Sequence, residues 1–127
     1  MYTFDRKLSN VDVGAAVARA KKALADQGFG VLTEIDVKNT LKAKIGAEIK
    51  DYVILGACNP RMAFEALKLE PRVGAMLPCN VIVRATDGGS EISAIDPVAS
   101  MAAIDNPPLK KVAETVRELL RTAVEKM

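Results

Sequence analysis

The sequence contains no histidine and no tryptophan. Without histidine it lacks the side chain that most often acts as a general base near neutral pH, and the commonest metal ligand. Ser-His and Cys-His nucleophilic systems are therefore excluded within this chain. Any proton transfer would fall to a carboxylate, a lysine or a thiol with a shifted pKa. Aromatic residues are few, three Phe and two Tyr, so Ala, Val, Leu and Ile have to build the core. An excess of one charge is missing too. The 18 basic and 16 acidic residues leave a net +2, too balanced for a nucleic-acid or anionic-membrane surface. Neither nucleic acid nor a membrane is expected as a partner. The opening segment Met1–Lys7 has no apolar stretch of the signal-peptide kind, and no run is long enough to span a bilayer. The expected location is cytoplasmic, where the two cysteines are expected to be reduced rather than bridged.

What is present describes one domain, because 127 residues with half of them apolar suffice for a single core. Tyr2 to Leu8 reads as a strand. Ser9 with Asp12 resembles a capping box, followed by Val13, Val17, Ala20 and Leu24 at helical spacing and by Gly28 as a stop. Phe29 to Ile35 reads as a strand with Phe29, Val31, Thr33 and Ile35 on one face. Asp36 caps a second helix with an inner stripe of Val37, Leu41 and Ile45, ended by Gly46. Asp51 to Cys58 is a third strand, and Asn59-Pro60 is a strong helix start with a broad apolar surface after it, including Met62, Phe64 and Leu67. Leu77 to Ala85 and Glu91 to Ile95 flank the hairpin signal Asp87-Gly88-Gly89-Ser90. Asp96-Pro97 opens a short helix through Ile104. Asn106-Pro107-Pro108 opens the last one, with Leu109, Val112, Ala113, Val116, Leu119, Leu120 and Ala123 on its stripe. The hairpin and the terminal helix pair favour an α+β fold: a mostly antiparallel sheet of about five strands packed against helices.

Two Cys-Asn dipeptides carry the candidate chemistry, in Gly56-Ala57-Cys58-Asn59-Pro60 and Leu77-Pro78-Cys79-Asn80-Val81. Cys58 ends a strand just before a helix start, where the helix N-terminus stabilises a thiolate, and Arg61 adds positive charge. The competing reading is a small strand residue followed by a cap. Cys79 shares strand parity with Leu77, Val81 and Val83, so it is expected to face apolar surroundings that raise its pKa. Pro78 cannot donate to a ladder, which points to an edge strand or a bulge. A bulge would expose Cys79 and turn Asn80 inward. If the two strands are neighbours, the thiols meet. Without histidine they make an incomplete zinc set, although a thiolate pair suits Cu(I). Their wide separation is unlike the paired C-x-x-C of a zinc ribbon. Cys58 and Cys79 are the candidate metal ligands, and no cofactor is assigned.

Other features carry less. Asp36 and Asp96 are explained as helix caps, and Glu34 has no partner for acid-base work. Gly28/Gly30 follow a helix and Gly88/Gly89 form a turn, so neither pair reads as a phosphate loop. Lys38, Lys42 and Lys44 lack interleaved aromatics and read as a solvated face.

The motifs Gly28-Phe29-Gly30-Val31-Leu32-Thr33-Glu34-Ile35-Asp36-Val37, Leu55-Gly56-Ala57-Cys58-Asn59-Pro60 and Leu77-Pro78-Cys79-Asn80-Val81, in that order, resemble the prokaryotic family catalogued as domain of unknown function 302. The likeness covers essentially the whole chain. It implies a single small α+β domain of the TATA-binding-protein-like grouping, with a curved antiparallel sheet on helices, and a homodimer. It implies no activity and no functional residues, and fold alone does not imply DNA binding. The expectation is a non-catalytic domain that binds a small molecule near Cys58, Asn59, Cys79 and Asn80. The rivals are a thiol-dependent redox or metal-binding protein using Cys58 and Cys79, and a homo-oligomeric interaction module.

Overall fold

A computed structural model describes residues 1–127. Its elements are β1 (Thr3–Ser9), α1 (Val13–Asp26), β2 (Gly30–Asp36), α2 (Val37–Ile45), β3 (Tyr52–Cys58) and α3 (Pro60–Leu69). A 3-10 turn (Pro71–Met76), β4 (Cys79–Thr86), β5 (Gly89–Ile95), α4 (Pro97–Ser100) and α5 (Pro107–Glu125) follow.

Every α-helix begins on an Asp or Asn whose side chain accepts a backbone N–H of the first turn: Asp12, Asp36, Asn59, Asp96 and Asn106. Three of these caps are followed by proline at the first helical position, where its missing N–H costs nothing and its fixed φ suits the helix. The capping box expected from Ser9 is not used. Ser9 ends β1, and Asp12 itself accepts the Ala15 N–H at 2.8 Å, because Asn10 in the left-handed region (φ 58°) turns the chain before the helix starts.

The strands form one sheet in the order β1-β5-β4-β3-β2, and every neighbouring pair is antiparallel. Two of the expected local features change. Pro78 marks neither an edge strand nor a bulge: β4 lies in the interior of the sheet, and Pro78 precedes its first residue, where no ladder donor is needed. The bulge lies in β2, between Val31 and Thr33. It reverses the side-chain alternation, so Val31, opposite Ala57, faces the core while Thr33 and Ile35, opposite Gly56 and Ile54, face the other way. The single face expected for Phe29, Val31, Thr33 and Ile35 is split for that reason.

Helices α1 and α5 pack against each other and on one face of the sheet. There Leu55, Val81, Val83 and Ile92 meet Leu24 and Leu120, all at 0% exposure, in the main core. A smaller core joins Ala66, Val73, Met101, Leu109 and Ala113 under α3, the 3-10 turn and α5. The expected inner stripe of α2 is not buried: the helix packs chiefly beside β2 and β3, none of its residues is buried, and Ile45 is 73% exposed. No helix is long and apolar enough to cross a membrane.

A thiol- and thioether-lined cleft

Antiparallel pairing of β3 with β4 sets Ala57 opposite Cys79. The end of one strand and the start of the other thereby come together, although they are far apart in sequence. Cys79 keeps the parity of Val81 and Val83 and is buried on the helix side. Cys58, half-buried, occupies the last position of β3, where the chain turns into α3. Asn59 follows as the cap and accepts the Met62 N–H at 3.4 Å.

These residues border a cleft over which α3 and α5 close, with Met62, Ala66, Met101 and Val116 among its walls. Twelve of its 14 lining residues are hydrophobic, and Asn59 supplies the one amide side chain. Its void is about 30 Å³, and about 400 Å³ once the open mouth is counted. The walls come from both cores: Cys79 and Val116 belong to the main one, and Ala66 and Met101 to the smaller. The cleft is the seam where the two cores fail to merge.

Three of the four candidate residues thus share one site. Asn80 does not: it is exposed, opposite Gly56 in register, and alternation carries it to the sheet face away from Cys79. With no bulge in β4, nothing turns it inward. Met62 and Met101 belong to the site but carry no sequence signal as functional residues. Met62 reads as part of the apolar surface of α3, and nothing local brings Met101 to the end of β3.

Burial pushes the Cys79 thiol up to about 11, and the nearby Cys58 adds to the shift by repulsion between thiolates. At pH 7 that leaves roughly one Cys79 in ten thousand ionised, a poor nucleophile for thiol exchange. No group of three His, Cys, Asp or Glu side chains is placed to hold a metal ion. Of the other carboxylates considered, Glu34 pairs with Lys21 at 2.8 Å on the surface. Asp36 and Asp96 cap helices, and Asp96, buried, also faces the Arg117 Nε at 3.4 Å.

The family described as domain of unknown function DUF302 matches residues 4–127. The chain belongs to this family. A solved DUF302 structure, described as an uncharacterized conserved protein from Bacillus stearothermophilus, is similar to this DUF302 chain with a TM-score of 0.91 and 27% identity. The match covers 99% of this chain and 98% of that one. No curated protein matches the chain. The α+β fold with its five-stranded antiparallel sheet is therefore the fold of this DUF302 member along its whole length.

Proposed function

We propose that the protein is a non-catalytic binding domain whose small ligand enters the cleft between α3, α5 and the β3–β4 strand ends. The observation that carries this reading is the convergence of Cys58, Asn59 and Cys79 on a cleft that is otherwise almost wholly apolar. The enclosed void is about 30 Å³ and opens to solvent, and its lining has the pattern of small-molecule sites, apolar walls with a few placed polar groups. Asn59 is such a group, since a cap uses its oxygen and leaves amide hydrogens for a ligand acceptor.

Chemistry at the site has less support. No carboxylate lines the cleft as a general base, and Cys79 is held protonated. Ligand-observed NMR with a library of small apolar and amphipathic molecules tests the reading. Ala63→Leu, at a half-buried lining position, is expected to block binding without unfolding the protein. Asn80→Ala, on the opposite face, is expected to leave binding unchanged. Equal affinity of every detected ligand for the wild type and Ala63→Leu would place the site elsewhere.

A further inference from the structure

The two edges of the sheet differ. β2 is interrupted by the bulge between Val31 and Thr33, which breaks the regular row of backbone groups that another strand would pair with. β1 has no such break. It pairs with β5 in one continuous register from Thr3–Ile95 to Ser9–Gly89, contains no proline, and has no strand on its other side.

The ladder shows which backbone groups of β1 are free. Just beyond its ends, the Tyr2 carbonyl accepts the Asp96 N–H at 2.8 Å and the Asn10 N–H donates to the Gly88 carbonyl at 2.7 Å. Antiparallel alternation therefore turns the N–H and C=O of Phe4, Arg6 and Leu8 toward β5. Those of Thr3, Asp5, Lys7 and Ser9 face the open edge.

The strand reads Thr-Phe-Asp-Arg-Lys-Leu-Ser, which has the same pattern from either end except that the charge changes sign. Charged residues on an edge usually deter pairing. Here their placement makes them complementary in one register. A second copy running antiparallel about a two-fold axis at Arg6 sets Asp5 opposite Lys7, Thr3 opposite Ser9 and Phe4 opposite Leu8. The Asp5–Lys7 and Thr3–Ser9 pairs, each made twice, exchange roughly eight backbone hydrogen bonds. A shift of one residue sets free backbone groups against occupied ones. A shift of two sets Asp5 against Asp5 or Lys7 against Lys7, and like charges directly opposite are destabilising. Neither side chain is committed elsewhere: Asp5 and Lys7 make no ion pair within the chain. Glu91, opposite Lys7 on β5, is held by Arg84 at 2.6 Å. Arg6 meets its own copy at the axis, but its guanidinium is drawn to the Glu125 carbonyl at the C-terminal, negative end of α5.

We propose that the free edge of β1 binds a second copy of this chain, joining two five-stranded sheets into one through the register centred on Arg6. The interface is independent of the cleft, which lies at the ends of β3 and β4.

Sedimentation of the full chain is expected to show a monomer–dimer equilibrium. Asp5→Lys and Lys7→Asp each set like charges opposite one another twice and are each expected to weaken dimerisation on the order of tenfold. The double variant Asp5→Lys/Lys7→Asp restores opposite charges and is expected to return to within roughly threefold of the wild type. Both positions are exposed, so circular dichroism of every variant is expected to match the wild type. Amide hydrogen exchange of the wild type locates the contact: the Thr3, Asp5, Lys7 and Ser9 amides are expected to slow as protein concentration rises. A chain that stays monomeric at the concentrations used for NMR would overturn the proposal. So would a dimer whose affinity both single variants leave unchanged, or one whose four edge amides exchange freely. Weakening by the single variants without rescue in the double variant would overturn the Arg6-centred register.

Discussion

Two buried side chains set measurable limits at the scale of the single residue. Cys79 has a folded-state pKa raised to about 11 from an ordinary value of 9.0. Between those values the unfolded chain has lost the proton that the folded chain still holds, so rising pH favours unfolding. The contribution of Cys79 is complete below pH 9 and is lost as pH rises through 11. Urea unfolding is expected to show about 2–3 kcal/mol less stability at pH 11 than at pH 8 from this group. Cys79→Ala removes that component, and an unchanged pH slope in the variant would show that other groups cause it. Ser90 is the second case. Its hydroxyl is buried on β5 with no hydrogen-bond partner, so the desolvation cost is not offset. Ser90→Ala is expected to raise stability by up to about 1 kcal/mol, read as a higher urea midpoint with an unchanged slope.

At the scale of elements, glycine and asparagine hold the cleft in place by different means. Gly56 in β3 is buried beneath Thr33 and Pro78, and a Cβ there would lie 2.8 Å from the Pro78 Cγ and closer still to the Thr33 hydroxyl. Thr33 can rotate away, but the proline ring cannot. Gly56→Ala is therefore expected to cost about 1–3 kcal/mol and to shift β3 against β4 at the cleft, visible in the amide spectra of Cys58 and Cys79. The caps differ in strength. Asn106 accepts the Leu109 N–H at 3.1 Å and also donates to the Leu69 carbonyl at 3.0 Å, tying the start of α5 to the end of α3. Asn59 makes one cap bond, at 3.4 Å. Thermal unfolding is expected to rank Asn106→Ala as the more destabilising, by about 1–2 kcal/mol against under 1 for Asn59→Ala. Four of the five caps were legible in the sequence as short polar residues before a periodic run, and in the first helix Asp12 takes the place expected for Ser9. Capping needs only local chain geometry. The bulge in β2 left no such mark, because Leu32 carries no glycine or proline to announce it.

For the molecule as a whole, the division into two cores decides how it moves. The larger core has 19 buried residues and the smaller five, so less apolar burial holds α3, the 3-10 turn and α4 than holds the sheet and α1. Native-state hydrogen exchange is expected to show the amides of Ala66 to Leu69 opening at a lower free energy than those of Val81 and Val83. A ligand that bridged the seam would be expected to bring the two groups closer. Equal protection throughout the apo protein would mean that the cores open as one.

The sequence by itself determined the fold class, the element order, the hairpin, the stripe of α5 and the inward parity of Cys79. These follow from period, turn chemistry and caps, each of which acts within a few residues. It also singled out the two Cys-Asn dipeptides, on local grounds that cannot separate a site from a strand end and a cap. Only the tertiary structure decided which of their atoms meet. Strand order made β3 and β4 neighbours, and the uninterrupted pleat of β4 sent Asn80 to the far face. The packing of α3 and α5 brought in Met62 and Met101. Register and helix packing depend on contacts across the whole chain, and a one-residue shift in either exchanges the faces. For that reason the cysteines could be seen in advance and the methionines could not.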